Sequence, residues 1–238
     1  RRLNQTHDAT AKLVAMREDL IRFLPEHPDL GKLNVDFKHL FASWFNRGFL
    51  VLRPINWSSP AHILEKIITY ESVHEIENWD DLRRRLQPDD RRCFAFFHPA
   101  MPDEPLIFVE VALTKGTPNS IQSVLLENRD AMAAEKADTA AFYSISNCQV
   151  GLAGISFGNS LIKTVVQHLL RELPQIRNFV TLSPIPGLVK WLRETGNFDA
   201  DATAETHMKL AAHYLLNAKH HRGQPHDPVA RFHLNNGA

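Results

Sequence analysis

Three glycines, a serine followed by a proline, and a group of late histidines are the residues of this chain whose types and spacing could do chemistry. Gly151, Gly154 and Gly158 recur at short intervals between an apolar stretch and a helical one. Glycine lets the backbone turn and approach another group closely. A turn of this kind feeding a helix offers unpaired N–H groups and the positive end of the helix dipole, which suits a phosphate or pyrophosphate. Tight packing of a helix on a strand would use the same glycines. Ser183 opens Ser183-Pro184-Ile185-Pro186-Gly187, and the proline forces a sharp exit behind its hydroxyl. His233 titrates near neutrality and can pass a proton. A serine and a histidine so far apart in sequence prove nothing by spacing, and a strand-end cap with a core histidine accounts for them equally. His220, His221, His226 and His233 lack a familiar zinc-ligand spacing, with Cys93 and Cys148 far off, so no metal is expected. Thr181-Leu182-Ser183-Pro184-Ile185 lacks the Gly-x-Ser-x-Gly elbow of a serine hydrolase.

A strand, a turn, a helix and a second strand are needed to hold these residues. Residues 141–146, Ala-Phe-Tyr-Ser-Ile-Ser, alternate larger apolar with small polar side chains, and Ser144 and Ser146 read as structural. Asn159 is an apt N-cap for a helix whose apolar residues Leu161, Ile162, Val165, Val166, Leu169 and Leu170 recur at three and four, and Pro174 stops it. Asn178 to Leu182 reads as a strand, which completes a βαβ unit.

Upstream, Ala9 to Phe23 and Val35 to Phe45 have helical spacing, separated by Pro25, Pro28 and Gly31. The stripe Phe37, Phe41, Trp44 and Phe45 is expected to pack against the next domain or a second subunit. Gly48 to Ile55 is a strand candidate with Pro54 at its end or on a sheet edge. Ser59-Pro60 starts one helix, which buries Ile63, Leu64, Ile67 and Ile68. Asn78 caps another, which buries Trp79, Leu82 and Leu86. Arg92 to Phe97 and Leu106 to Leu113 should form an antiparallel hairpin. Downstream, Arg193 to Asp201 reads as a polar loop, Met208 to Leu216 as a short helix and Lys219 to Pro228 as a charged loop. Periodicity alone supports a mixed α/β domain.

Composition narrows the classes. At 44% hydrophobic the chain has ample core-forming material, and 27 basic against 27 acidic side chains leave no excess to neutralise nucleic-acid phosphates. Arg83-Arg84-Arg85 and Arg91-Arg92 read as solvated faces or local ion pairs. Two cysteines make no disulfide framework and point to buried thiols in a reducing interior, with Cys148 partly reachable beside the glycine turn. No apolar run is long enough for a spanning helix, so the expected setting is the cytoplasm. Targeting sequences at either end would be invisible here, and an organellar matrix fits if they are missing.

The wording of the central stretch carries more than its periodicity. Phe142-Tyr143-Ser144-Ile145-Ser146, Gly151-Leu152-Ala153-Gly154, Gly158-Asn159, Leu161-Ile162-Lys163, and Thr181 to Gly187 followed by Lys190-Trp191-Leu192 closely resemble malonyl-CoA decarboxylase. So do Gly48 to Leu52, Asn78-Trp79, His220-His221-Arg222-Gly223, Asp227-Pro228-Val229-Ala230 and Phe232 to Ala238.

The resemblance implies an α+β, mixed α/β fold: a GNAT acetyltransferase-like catalytic domain over residues 47–238, preceded at 1–46 by part of an all-helical N-terminal domain. It implies a lyase acting on malonyl-CoA to give acetyl-CoA and CO2, with Ser183 and His233 matching the family's catalytic serine and histidine. The CoA pyrophosphate would lie on Ala153, Gly154, Ile155, Ser156, Phe157, Gly158 and Asn159, with no lysine indispensable. CoA enters as part of the substrate, so neither a metal nor an organic cofactor is expected. Ser156 departs from family members that carry an acidic residue placed to orient the histidine, which leaves its role open. The family also has a longer, partly helical insert near residues 193–207 and a segment beyond Ala238 that adds a tyrosine to the site, so the catalytic domain is expected to be truncated here. A homo-oligomer joined through the helical domain is expected, without nucleic-acid or membrane partners. A CoA-dependent acyltransferase and a non-catalytic CoA-binding module remain the competing readings.

Overall fold

The computed structural model describes residues 8–155, 158–220 and 223–236. Contacts divide the chain into two compact units, Arg1–Leu182 and Ser183–Ala238.

In the first unit five strands form one sheet: β1 (Val51–Ile55), β2 (Arg91–Phe97), β3 (Ile107–Thr114), β4 (Thr139–Asn147) and β5 (Asn178–Thr181) lie side by side in chain order. The first three junctions are antiparallel and β4 pairs with β5 in parallel. That parallel junction needs a crossover, which is supplied by helix α6 (Gly158–Glu172). Helices α1 (Ala9–Phe23), α2 (Gly31–Trp44), α3 (Ala61–Tyr70), α4 (Trp79–Leu86) and the short α5 (Ile121–Leu125) complete the unit.

The strands are apolar on both faces because helices cover both. Phe94, Phe96, Ile107, Val109, Val111 and Phe142 share a core with Leu13 and Val14 of α1, Phe37 and Phe41 of α2, and Leu161, Val165 and Leu169 of α6. On the opposite face, Cys93, Ala95, Phe97 and Phe108 meet Ile63, Leu64 and Ile67 of α3 and Leu82 and Leu86 of α4. The aromatic stripe of α2 therefore packs on the sheet, as its spacing predicts. Both thiols are buried, and burial raises the pKa of each, so the expected partial access to Cys148 is not seen.

Several expectations need correction. α6 begins at Gly158, so Asn159 lies inside its first turn instead of capping it; helix ends shift by a residue or two without disturbing the core. Its buried stripe runs Leu161, Val165, Leu169 and Leu173, and Leu170, a further 100° around the helix, is 43% exposed. Trp79 is 41% exposed. As the first residue of α4 it precedes the buried stripe and meets Trp57 edge-on at 6.1 Å on the surface. A 3₁₀ turn at Arg47–Phe49, closed by Asn46 Oδ1 accepting from Gly48 N, delays β1 to Val51. α2 starts at Gly31, four residues before the predicted helix. The period-two pattern of β4 is broken by a bulge: Glu110 pairs with Ser144 and Val111 with Phe142, leaving Tyr143 extra.

Behind that bulge the otherwise apolar face toward α3 and α4 carries a polar patch. Ser144 and Ser146 donate to the Glu71 carboxylate, whose Oε1 also accepts from Val73 N and His74 N. The fully buried Glu110 receives only the 3.4 Å edge of Arg85, whose shorter bonds go to His74 O, Glu75 O and Asp81, and Glu110 Oε1 has no partner. Burial, with Glu71 nearby, raises the Glu110 pKa from 4.5 to about 8 against the pull of Arg85. A carboxyl whose folded pKa is raised loses stability as pH climbs from its unfolded value through its folded one. Stability should therefore fall between about pH 4.5 and 8. Glu110→Gln, neutral and of the same shape, should flatten that fall, which chemical denaturation across the window will measure; an unchanged slope would assign the proton elsewhere.

The second unit holds α7 (Leu188–Glu194), α8 (Ala204–Asn217) and α9 (Pro228–Asn235). Arg193 and Glu194 close α7 instead of opening a loop. α8 starts four residues before the predicted Met208 because Thr203 accepts from Thr206 N as its cap. Among the described residues no helix is long and apolar enough to cross a membrane.

Candidate active site

In the second unit, Ser183 Oγ and His233 Nε2 stand 2.7 Å apart. Ser183 opens the proline-bounded segment that leads into α7. His233 sits in the last turn of α9, a helix that begins at Pro228, where the expected charged loop ends. The missed signal was Asp227-Pro228, an N-cap residue followed by proline at the first helical position.

Asp227 also fixes the partner. Its Oδ1 accepts from Val229 N and Ala230 N, which starts α9, while its Oδ2 accepts from Gly187 N at 3.3 Å. One buried carboxylate thus ties the helix of His233 to the segment of Ser183. Tyr214, buried in α8, lies against the same joint: its hydroxyl is 3.2 Å from His226 Nδ1 and fills the space that a Cβ on Gly187 would need. Burial lowers the His233 pKa below the ordinary histidine value, so its imidazolium is a stronger acid than an exposed one. Among the described residues no cluster of histidine, cysteine and carboxylate side chains could hold a metal.

In the first unit the glycine turn runs from the end of β4 to α6. A 3₁₀ turn at Val150–Leu152 leads to Gly154, whose φ of 77° favours glycine. Ala153 N already donates to Val150 O and Ile155 N to Leu152 O. Of the residues predicted to receive a pyrophosphate, those two amides are therefore committed. Among the described residues Gly154 N donates to nothing, and the first amides of α6, at Gly158 and Asn159, lack intrahelical acceptors by geometry. Ser156 and Phe157 lie outside the described residues, as do His221, Gly237 and Ala238.

Against this geometry, the family model of the malonyl-CoA decarboxylase C-terminal domain matches residues 48–207 and 194–238, and that of the malonyl-CoA decarboxylase N-terminal domain matches residues 1–45. The chain belongs to the malonyl-CoA decarboxylase family.

The mitochondrial malonyl-CoA decarboxylase of Anser anser anser is 40% identical over 277 residues, covering 95% of this chain and 55% of its own. That of Rattus norvegicus is 36% identical and is covered over 56% of its length. The chain therefore spans about half the length of the curated relatives it matches. The aligned span of 277 positions exceeds the 238 residues of this chain, so these relatives carry residues inside the matched region that it lacks. The two C-terminal matches meet over residues 194–207, where the insert of malonyl-CoA decarboxylases is expected.

Malonyl-CoA decarboxylase structures from Rhodopseudomonas palustris (54% identity, TM-score 0.90) and Agrobacterium vitis (53%, 0.91) each cover 100% of this chain and 64% of their own. The loading GNATL domain of CurA from Lyngbya majuscula, 17% identical with a TM-score of 0.51, covers 79% of this chain and shares the fold alone. The α/β architecture read from the family resemblance is the one observed: strand, two helices, three antiparallel strands, glycine turn, helix and parallel strand.

Proposed function

We propose that this chain is the core of an enzyme that decarboxylates malonyl-CoA to acetyl-CoA and CO2, with residues 1–46 the end of its helical domain and 47–238 its catalytic domain. The observation that carries the reading is the 2.7 Å contact between Ser183 Oγ and His233 Nε2, in a chain of the malonyl-CoA decarboxylase family.

The reaction asks little of a protein beyond position and proton supply. The bond between the carboxylate and the methylene carbon breaks, CO2 leaves, and the electron pair enters the thioester as an enolate. A donor aimed at the thioester oxygen stabilises that charge as it forms, and an acid must then protonate the carbon. The His233 imidazolium donates its Nε2–H to Ser183 Oγ, which leaves the serine hydroxyl proton free for the thioester oxygen. The proton reaches the carbon from His233 directly, or through Ser183 as the imidazolium refills it. His233 ends neutral, and solvent recharges it. No metal or organic cofactor takes part in these steps. CoA anchors the substrate through its pyrophosphate at Gly154 and the start of α6, where N–H groups and the helix dipole favour an anion.

Incubating full-length protein with malonyl-CoA alone, and following CO2, tests the reading. CO2 release without any acceptor is expected. CO2 that appears only after an amine or a carrier-protein thiol is added would make the chain an acyltransferase, and none under either condition would leave CoA binding alone.

A further inference from the structure

The CoA reading places the pyrophosphate on N–H groups after β4, but that turn is held in shape from the other end of the chain. Arg17 of α1 is 1% exposed, and its Nη1 donates to Gly151 O at 2.7 Å while its Nη2 donates to Ala153 O at 2.8 Å. Its Nε donates to Asn34 Oδ1 at 3.1 Å. All three acceptors are neutral oxygens, and among the described residues no carboxylate lies within ion-pair range of Arg17. A buried, uncompensated cation is costly unless an anion shares its surroundings.

The same carbonyls explain what the guanidinium does to the turn. With Gly151 O and Ala153 O drawn onto Arg17, the 151–152 and 153–154 peptide planes are fixed, and the second of these carries the Gly154 N–H. A second cation stands on the surface: the exposed Lys38 of α2 has its ammonium 3.8 Å from the point where Gly154 would carry a Cβ. Among the described residues Lys38 has no ion-pair partner. One buried and one exposed positive charge thus converge on the residue whose amide the turn leaves uncommitted.

We propose that the helical segment is part of the CoA site: Arg17 is a positioning residue that sets the pyrophosphate turn and lends it charge, and Lys38 contacts the pyrophosphate across Gly154. This rests on the CoA reading above and gives a lysine a part in it, although the resemblance implies that none is indispensable. Affinity for the nucleotide half of the substrate then depends on residues that precede the GNAT-like sheet in sequence.

The test uses full-length protein, CoA as the probe, and the Arg17→Met, Arg17→Lys and Lys38→Ala variants. In wild type, the Gly154 amide signal should move as CoA saturates; if it stays still, the pyrophosphate lies elsewhere, and both the reading and this proposal fail. With Gly154 responding, Arg17→Met and Lys38→Ala should each weaken CoA binding roughly tenfold, the size of one charge-assisted contact. The malonyl-CoA KM should rise in step, while kcat at saturation stays near wild type, and Arg17→Lys should recover part of the affinity. A merely structural role for Arg17 would lower the melting temperature and kcat and leave KM alone. Lys38 is exposed, so Lys38→Ala decides the matter if Arg17→Met does not fold. Wild-type CoA affinity in folded Lys38→Ala or Arg17→Met overturns the proposal and leaves the pyrophosphate reading standing.

Discussion

Turnover of malonyl-CoA should fall by roughly 10²–10⁴ in His233→Ala and 10²–10³ in Ser183→Ala, the usual losses for a positioned general acid and for one oxyanion donor. The two side chains share a 2.7 Å contact. They act as one unit, so the double variant should lose far less than the product of the single losses. CoA affinity should hold in both, because neither residue belongs to the pyrophosphate turn. His168→Ala is the control: His168 lies on α6, edge-on to Phe94 at 5.1 Å and 3.6 Å from Glu172, so removing it touches only packing and a surface pair. Initial rates of CO2 release, with melting temperature and CoA affinity recorded for each variant, decide the assignment. Equal damage in all three variants would mean general misfolding, and full activity in either Ser183→Ala or His233→Ala would strike that residue from the mechanism.

Gly151→Ala should be the most damaging single methyl in the first unit. A Cβ at that position would sit 2.0 Å from Val14 O and 2.8 Å from Val14 C, so it meets the backbone of α1 and not the end of a flexible side chain. The helix must back away, and Arg17 then loses its two carbonyls. Overpacking against yielding side chains costs about 1–3 kcal/mol, and a backbone obstacle puts this change at about 3 kcal/mol or more. In a chain of this length that corresponds to a melting temperature lower by roughly 6–12 °C. Gly31→Ala is the matched control: like Gly151 it has no positive φ, and open space surrounds its Cβ position, so it reports the added methyl without the clash. If both variants melt together, the close approach of α1 to Gly151 contributes nothing of its own.

What the sequence made legible follows the range of each interaction. The β4 to β5 crossover was readable because Leu161, Val165 and Leu169 declare a helix locally and Pro174 ends it. The pairing of Ser183 with His233 came from the wording of two motifs, since no periodicity links residues fifty positions apart. Arg17 gave no warning, because an arginine on an amphipathic helix looks solvated until a turn 134 residues later closes over it. Glu110 could have been suspected: a carboxylate between Val109 and Val111 in an otherwise apolar strand must find a partner or hold its proton. The bulge at Tyr143 was hidden because Phe142, Tyr143 and Ile145 suit either register. Asp227 was visible as a helix cap, but its second bond to Gly187 depends on tertiary packing and cannot be read from the dipeptide.

The edge strand β1 bears on how the protein behaves when crowded. An unpaired strand edge is a template onto which another molecule's strand can add, and natural sheets blunt such edges with proline and charge. β1 carries both at its centre: Pro54, which has no N–H to offer a newcomer, and Arg53, whose guanidinium lies over Phe97 at 4.6 Å and donates to Pro102 O. Strand addition from this side is therefore disfavoured, which works against copies stacking edge to edge through β1.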